Sequence, residues 1–341
     1  MGSADEIPSA DAPSDTATTF NPKVSVIIPF YNRRKHIKAC IDSVLASTLE
    51  NLEVILVDDG STDVRTKNVV RKIASSDQRI ALVETEHGGA YEARWVGLQY
   101  ANGDYIHFMD SDDLIAPGAY EELCSICDEN QLDQIVFTAA SFNDEKHTPS
   151  EEKVKEGFDK HYQLSNDCCE KITSGKELFH ILSENRSFFV GFPMRLVRRG
   201  LIQGVEIPKC NALWHADNFY TVVWMYQSKR AMAINRKYYK RRVHRDSITM
   251  AKDSDAQHFK SILSVLISFC RFREFADYGM VPGTIESNYM MRLMRGLYKR
   301  SQKIGRDATA DMVGLVSEEG SESFGEFVEL CFLPLLRKAM K

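Results

Sequence analysis

Short apolar runs and helix-like segments alternate four times in the first 140 residues, and this alternation constrains the fold more than any other feature. Buried strands are predicted at residues 24–28, 53–57, 79–84, 104–109 and 134–138. Four helices are predicted between these strands: the first begins at about residue 34, the second ends at about residue 75, the third begins at residues 88–89, and the fourth covers about 117–129. Because strands joined through short helical connections pair in parallel, the sequence predicts an α/β fold with a mostly parallel, Rossmann-like sheet flanked by helices.

The fourth apolar run stops at three carboxylates within four residues. Residues 105–113 read Tyr-Ile-His-Phe-Met-Asp-Ser-Asp-Asp. Like charges this close repel one another, and burial would force one of them to protonate, whereas a divalent cation removes both problems. Oxygen ligands suit Mg²⁺ or Mn²⁺, which often hold a substrate diphosphate through one or two carboxylates. The alternative is a solvated acidic turn in which Asp112 or Asp113 caps the next helix.

The polar segments that follow three of the predicted strands are expected to meet in one crevice. They are residues 29–31, 58–59 and 110–113, and ligands of parallel α/β sheets bind beyond the carboxyl ends of the strands. The turn after the first strand reads Pro-Phe-Tyr-Asn, not G-x-G-x-x-G, and the chain contains no Walker A sequence. A metal ion on the acidic cluster is therefore the candidate for holding phosphates.

Four motifs in this region resemble those of glycosyltransferase family 2. The first reads Val-Ser-Val-Ile-Ile-Pro-Phe-Tyr-Asn against the family's V-S-V-I-I-P-x-Y-N, and the last is its D-x-D metal motif. In the third motif, His87 and Trp95 replace the first and last Asn of N-G-G-x-x-x-A-R-N. The resemblance implies a GT-A fold and transfer of a sugar from a nucleotide-sugar, usually a UDP-sugar, with inversion at the anomeric carbon. The motifs lie at residues 24–32, 58–63, 88–94 and 110–113.

Carried over by position, the resemblance assigns ligands in the nucleotide-binding half. It assigns Pro29 and Tyr31 to the nucleobase and Asp59 to the uracil N–H. Arg94, Asp110 and Ser111 are assigned to the nucleotide-sugar, with Asp110 by the ribose, and Asp112 is assigned to the metal. A carboxylate suits the imide N–H of uracil, and a tyrosine ring can stack on the base face. The alternative for Tyr31 is an aromatic ring at the edge of the core with a solvated hydroxyl.

An inverting transferase also needs a carboxylate that takes the proton of the acceptor hydroxyl. The family places it in a Glu-Asp pair at the start of a helix, and by that resemblance Asp217 is the expected base. Ala216 stands where the family has Glu, and the alternative role for Asp217 is a helix cap. Residues 188–194 form an apolar run that is either a wall of the acceptor pocket or part of the core.

A basic segment at residues 238–249 resembles the family's Y-x-R…S-I-T ending. The resemblance implies that this segment folds over the diphosphate, and Arg pairs bidentately with phosphate. Arg241, His244 and Ser247 are therefore expected to bind the nucleotide-sugar. The alternative is a solvated basic loop.

The domain organisation follows from composition and from the motifs. Residues 1–21 are predicted to be a disordered tail, because they are rich in Ser, Thr, Asp and Pro. Residues 22–250 are predicted to form the GT-A domain, with a nucleotide-binding half (22–140) and an acceptor and base half (141–250). Residues 251–341 are helical in pattern and are expected to pack on the domain, form a homodimer, or lie on a membrane surface.

Charge and composition limit the partners and the location. A net charge of −5 and a pI near 6.0 argue against nucleic acid as a partner. No apolar run approaches the roughly 18 residues of a membrane span, and no signal peptide is visible. The eight cysteines are predicted to be reduced and mostly buried. We therefore expect a cytoplasmic protein, with peripheral contact to the cytoplasmic membrane face left open.

Together these features predict a metal-dependent inverting glycosyltransferase that uses Mn²⁺ or Mg²⁺. It would move a sugar from a UDP-sugar to a hydroxyl acceptor, a glycan or a lipid-linked oligosaccharide in cell-surface polysaccharide synthesis. Addition of a single sugar is expected because the Q-x-x-R-W motif and the membrane helices of processive synthases are missing. The alternative is a non-catalytic sugar-nucleotide-binding or scaffold protein, suggested by Ala216.

Overall fold

A computed structural model of the chain describes residues 21–143, 155–157, 159–204, 210, 215–244, 255–279, 281 and 283–304. The predictions for residues 1–20, for Ser247 and for residues 305–341 lie outside these ranges.

The described strands form one eight-stranded sheet in the order β3-β2-β1-β4-β7-β6-β8-β5. Their bounds are β1 (Val24–Phe30), β2 (Leu52–Asp59), β3 (Ile80–Thr85), β4 (Tyr105–Phe108), β5 (Leu114–Ile115), β6 (Gln134–Asn143), β7 (Arg195–Arg198) and β8 (Ala231–Val243).

Helices cover the sheet and extend beyond it toward the C-terminus. Their bounds are α1 (Ile37–Leu45), α2 (Val64–Ala74), α3 (Ala90–Gln99), α4 (Ala119–Glu129), α5 (Gly175–Glu184), α6 (Arg199–Gln203), α7 (Ala216–Gln227), α8 (Asp255–Arg271), α9 (Arg273–Gly279) and α10 (Ile285–Ile304).

The first four strands form the parallel arrangement that the sequence predicts. Strand β1 pairs in parallel with both β2 and β4, β2 pairs in parallel with β3, and every residue of β1 is buried. Helix α3 lies close to this sheet because it carries Gly97. A Cβ atom at that position would lie only 2.6 Å from Ile27 Cγ2 and 2.9 Å from Val57 Cγ2.

The other half of the sheet is mixed, and here the sequence prediction was incomplete. Strand β7 lies antiparallel between β4 and β6, and β5 pairs antiparallel with β8, while β6 and β8 are parallel. The sequence did not predict β5, β7 or β8, and β6 extends to Asn143, beyond its predicted end at residue 138. These strands are very short or rich in Arg and Lys, so they lack the apolar runs that revealed the others.

The described C-terminal helices pack against α5 and α7. The Phe269 ring on α8 lies 5.3 Å from the Phe219 ring on α7, and the Tyr289 ring on α10 lies 5.8 Å from the Phe179 ring on α5. Glu286 of α10 is buried and accepts hydrogen bonds from α5 and α7. Within the part of the chain that the structure describes, no helix is both long and apolar enough to cross a membrane.

Candidate active site

A cavity of about 300 Å³ opens beyond the carboxyl ends of β1 and β4 and receives side chains from both halves of the sheet. The predicted site residues that line it are Pro29, Arg94, Asp110, Asp112, Asp217 and Arg241. The apolar run at 188–194 contributes Val190, Gly191, Phe192, Pro193 and Met194 to one wall. The carboxylate cluster after β4 and the carboxylate at the start of α7, separated by about a hundred residues, therefore share one cavity.

Asp112 is held by a histidine from the end of β8. Its Oδ2 atom lies 3.0 Å from His244 Nε2. Burial raises the pKa of the Asp112 carboxyl, but the hydrogen bond from His244 and the positive charge of Arg33 outweigh burial, so that its pKa is lowered. The other ring nitrogen of His244, Nδ1, is buried and has no hydrogen-bond partner within the described part of the chain. The arrangement keeps an ionised carboxylate at the cavity surface.

Asp113 connects the acidic cluster to β8 and does not act as an exposed ligand. Its buried carboxyl accepts a hydrogen bond from the Tyr239 hydroxyl (2.6 Å) and another from the backbone N–H of Arg242 (2.7 Å). Burial, together with repulsion from Asp112 and Asp110, raises its pKa well above the usual carboxyl range. Repulsion among the three close carboxylates is therefore relieved at Asp113, which binds its proton more tightly, while Asp112 stays charged.

Arg94 and Asp110, both in the lining of the cavity, form an ion pair with each other. Arg94 Nη2 lies 2.5 Å from Asp110 Oδ1, and the guanidinium carbon lies 5.4 Å from the centre of the Phe192 ring. The Asp110 side chain is 39% exposed, which leaves it open to the cavity. The structure thus brings together these two predicted nucleotide-binding residues.

Asp59 and Tyr31 do not line the cavity: Asp59 is the last residue of β2, and Tyr31 directly follows β1. The buried Asp59 carboxylate accepts hydrogen bonds from the backbone N–H groups of Gly88 (2.8 Å) and Gly89 (3.0 Å). His87 Nδ1 lies 2.9 Å from Asp59 Oδ2, and the His87 ring lies 4.5 Å from the ring of Tyr31, which is 39% exposed. The histidine that replaces Asn in the family motif therefore joins these two predicted residues.

Two other predicted residues lie away from the cavity surface or outside the described chain. Ser111 is buried and does not line the cavity, and Ser247 is not among the described residues. Arg241 does line it, where its guanidinium donates to the Tyr162 hydroxyl and lies 5.8 Å from the centre of that ring. Sequence reasoning missed Tyr162, and also Tyr91 and Arg33, which line the same cavity.

Asp217 lies in the first turn of α7 and faces the same cavity. The residue at the N-cap is His215, in the left-handed conformation (φ 65°), so Asp217 is not the cap of this helix. Asp217 Oδ1 accepts hydrogen bonds from the backbone N–H (3.0 Å) and from the side-chain amide (3.3 Å) of Asn218. Burial raises the pKa of Asp217, and the charge of Arg94 partly offsets it. A carboxylate with a raised pKa is a stronger general base.

The C-terminal helices reach this point of the cavity. His215 lines the cavity, and its Nε2 lies 3.0 Å from Nδ1 of His258 on α8. Burial and the nearby His258 lower the pKa of His215 to about 4. Ala216, which stands where the family has Glu, is buried and lines the cavity as well.

Residues 25–203, more than half of the chain, match the family described as Glycosyl transferase family 2. The chain is 40% identical over 112 residues to the uncharacterized glycosyltransferase EpsJ of Bacillus subtilis, which is 33% of this chain and 32% of that protein. It is 32% and 35% identical to two further curated relatives, GlyA and GlyG of Streptococcus pneumoniae, over 48% and 33% of this chain. The matched segments cover 22% of GlyA and 38% of GlyG, so the chain spans less than two fifths of the length of these three relatives.

Solved structures share the fold at low sequence identity. The S. aureus TarS 1-349 structure in complex with UDP-GlcNAc matches with a TM-score of 0.56 and 17% identity, over 82% of this chain and 81% of that chain. The mannosyltransferase PcManGT from Pyrobaculum calidifontis, in complex with GDP-Man and Mn²⁺, matches with a TM-score of 0.52 and 16% identity, over 96% and 89%. The expected GT-A fold is confirmed, and with the match over residues 25–203 this chain belongs to glycosyltransferase family 2.

Proposed function

We propose that this chain is a metal-dependent inverting glycosyltransferase that moves a single sugar from a UDP-sugar to a hydroxyl acceptor. We propose as acceptor a glycan or a lipid-linked oligosaccharide in cell-surface polysaccharide synthesis. The observation that carries the proposal is the shared cavity, in which Asp112 after β4 and Asp217 on α7 face one space beside the basic side chain of Arg241. The UDP-GlcNAc in the TarS structure supports a UDP-sugar as the donor class.

The residues at the end of β4 fit a divalent cation. Asp110 and Asp112 present carboxylate oxygens to the cavity, and oxygen ligands are those that Mg²⁺ and Mn²⁺ prefer. Among the residues that the structure describes, no group of three or more His, Cys, Asp or Glu side chains could hold a metal by itself. One or two carboxylates suffice when substrate phosphates supply the other ligands. A bound Mn²⁺ or Mg²⁺ on Asp112 would neutralise charge on the leaving diphosphate.

The remaining nucleotide-sugar contacts are assigned by the family resemblance, and among these residues Pro29, Arg94, Asp110 and Arg241 line the cavity. Tyr31, with its partly exposed ring, would stack on the nucleobase beside Pro29, and Asp59 would accept from the uracil N–H. Arg241, His244 and Ser247 would bind the diphosphate, Arg94 would contact the nucleotide, and Asp110 would lie by the ribose. Ser111 is assigned to the nucleotide-sugar only by its place in the motif, because it is buried and does not line the cavity.

In the proposed reaction Asp217 accepts the proton of the acceptor hydroxyl. The oxygen of that hydroxyl forms a bond to the anomeric carbon while the bond from this carbon to the diphosphate oxygen breaks on the opposite face. The products are the glycosylated acceptor with inverted configuration, UDP, and a protonated Asp217, which then returns its proton to solvent. The raised pKa of Asp217 supports the role, because a stronger base removes the proton more readily.

The test is the substitution Asp217→Asn, which removes the basic oxygen and preserves the shape of the side chain. We expect transfer to fall by about a thousandfold or more, with UDP affinity in the presence of Mn²⁺ unchanged, because a general base contributes roughly 10²–10⁴-fold. UDP release from a panel of UDP-sugars measures turnover, and calorimetry measures UDP binding.

Asp167→Asn is the matched control, because Asp167 is an exposed carboxylate that does not line the cavity. It should leave both measurements unchanged. Turnover retained by Asp217→Asn would remove Asp217 from the role of base.

A second candidate function is a non-catalytic sugar-nucleotide-binding or scaffold protein. It is favoured by Ala216, because this residue lines the cavity where the family carries a carboxylate. Such a protein would bind UDP-sugars with Mn²⁺ and release no UDP from any of them. The same panel therefore separates the two functions.

A further inference from the structure

A chain of hydrogen bonds runs from the C-terminal helix α10 to the proposed base. The Tyr289 hydroxyl donates to Asn218 Oδ1 (3.0 Å), and the Asn218 side-chain amide donates to Asp217 Oδ1 (3.3 Å). Tyr289 lies outside the residues that match the family and in none of the motifs. It is 71 positions away from Asn218 in the sequence.

The Tyr289 hydroxyl fixes the orientation of the Asn218 side-chain amide, so that its nitrogen and not its oxygen faces Asp217. The amide nitrogen of Asn218 also donates to the backbone oxygen of His215 (3.2 Å), so both of its N–H groups are directed at acceptors. A flipped amide would direct its oxygen at the same two acceptors, which is repulsive. The phenol supplies the donor that the amide oxygen needs on the other side.

Tyr289 is itself held rigidly. It is 5% exposed, and its ring lies 5.8 Å from each of the rings of Phe179, Phe188 and Phe269. Arg292 lies over the ring at 4.7 Å from its centre. Burial raises the pKa of the Tyr289 phenol, which therefore keeps its proton and remains a donor.

We propose that Tyr289 is a positioning residue for the general base: its hydroxyl fixes the Asn218 amide, which orients and stabilises the Asp217 carboxylate. The inference rests on the proposed function, because it takes Asp217 as the base. It makes the C-terminal helices part of the catalytic apparatus, and it assigns Tyr289 no contact with the donor.

The test is Tyr289→Phe, which removes one oxygen and keeps the ring. We expect kcat at the pH optimum to fall about 5- to 10-fold, with the KM for the UDP-sugar unchanged, because a carboxylate that is no longer held in one orientation is misplaced for the acceptor hydroxyl. A carboxylate that loses an oriented N–H donor binds its proton more tightly, so the acidic limb of kcat against pH should move up by roughly half a unit.

The other charged groups that act on Asp217 stay in place in this variant. They are Arg94 and Asp110, which line the cavity, and the buried Arg195; the Tyr162 hydroxyl, also in the cavity lining, is the further titratable group that interacts with Asp217. A shift of the acidic limb is therefore attributable to the lost hydroxyl.

Tyr226→Phe is the matched control. The Tyr226 hydroxyl also connects α7 to α10, where it donates to the buried Glu286, and it is not a member of the hydrogen-bond chain Tyr289–Asn218–Asp217. Tyr226→Phe should lower the melting temperature about as much as Tyr289→Phe does. It should leave kcat and the acidic limb of the kcat–pH profile unchanged. In an Asn218→Ala background, Tyr289→Phe should change kcat less than 2-fold, because the path through the amide is already broken.

Three outcomes overturn the inference. The first is a Tyr289→Phe enzyme whose kcat and kcat–pH profile equal those of the wild type, and the second is an equal shift of the acidic limb in Tyr226→Phe. The third is an undiminished fall in kcat when Tyr289→Phe is added to Asn218→Ala. A wild-type chain that transfers no sugar overturns the proposed function instead. In that case titration of the Asp217 carboxyl carbon by NMR still tests the path, and an unchanged midpoint in Tyr289→Phe would refute it.

Discussion

The two halves of the candidate site are built in different ways. In the first half, site residues directly follow the strands that present them, as Asp59 ends β2 and Asp110 follows β4. In the second half, Arg241 arrives on β8 and Asp217 on α7, after a chain path through the antiparallel strand β7. The first half can thus be recognised from local patterns, whereas the second depends on how distant elements pack.

The halves also differ in charge, and each stabilises the other. The end of β4 contributes three carboxylates, and the end of β8 brings Arg242 and His244 to them. The Arg242 side chain donates to the backbone oxygen of Asp112 (2.8 Å), and its backbone N–H donates to Asp113. The acidic cluster is therefore compact because a basic strand from the other half lies against it.

The largest expected effect tests whether the first half carries the metal and the diphosphate. Asp112→Asn removes the charge at the cavity surface with little change in shape. We expect the metal-dependent rate of UDP release to fall roughly a thousandfold, since charge neutralisation on the leaving group is worth several kcal/mol. Initial rates are measured against Mn²⁺ concentration, and the exposed Asp42→Asn on α1 serves as the control. A wild-type metal dependence in Asp112→Asn would assign the diphosphate to the basic second half alone.

The difference between the halves explains how far sequence analysis reached. Strand β1 is a continuous run of buried residues, and the three carboxylates after β4 lie within four residues of one another. Each feature is local in the sequence, and so each was predicted from pattern alone. Strand β7 reads Arg-Leu-Val-Arg, and its buried Arg195 breaks the apolar run that would have revealed a central strand. Asp217 was assigned as the expected base only through resemblance. Tyr289 gave no signal, because its role depends on a partner on another helix.

The next largest effect tests whether the C-terminal helices form one folding unit with the second half. Phe269 is fully buried, and its ring lies 5.3 Å from Phe219 on α7 and 4.5 Å from Phe275 on α9. Phe269→Ala should lower the free energy of unfolding by about 3–5 kcal/mol, because it leaves a cavity between helices. Denaturant titration measures the loss in a single transition.

Tyr100→Ala provides the contrast, since this aromatic residue is 53% exposed at the end of α3 in the first half. It should change the unfolding free energy by no more than about 0.5 kcal/mol. A separate low-stability transition in Phe269→Ala, with the rest of the protein unaffected, would show instead that α8–α10 fold independently.

The smallest expected effect concerns the contact between the halves, where His107 of β4 is fully buried. Its Nδ1 lies 2.8 Å from the Tyr120 hydroxyl, and its Nε2 lies 2.8 Å from the backbone oxygen of Pro193 in the cavity wall. A neutral ring satisfies both partners if Nε2 carries the proton and Nδ1 accepts, a tautomer inferred from these partners. Burial lowers the pKa of His107 to about 4.

The sign of the pH dependence follows from this lowered pKa. Between pH 6.5 and about 4 the unfolded chain protonates His107 while the folded protein keeps it neutral, so the unfolded state binds more protons and stability falls as the pH falls. His107 should account for about 2–3 kcal/mol of this loss, and His107→Gln should remove that share. His215, whose pKa is also about 4 but which is less buried, should contribute less. Denaturant titrations of the wild type and of His107→Gln at pH 7 and pH 4.5 measure how far the free energy of unfolding falls between the two pH values. An equal fall in both proteins would mean that the contact between the halves tolerates a charged ring.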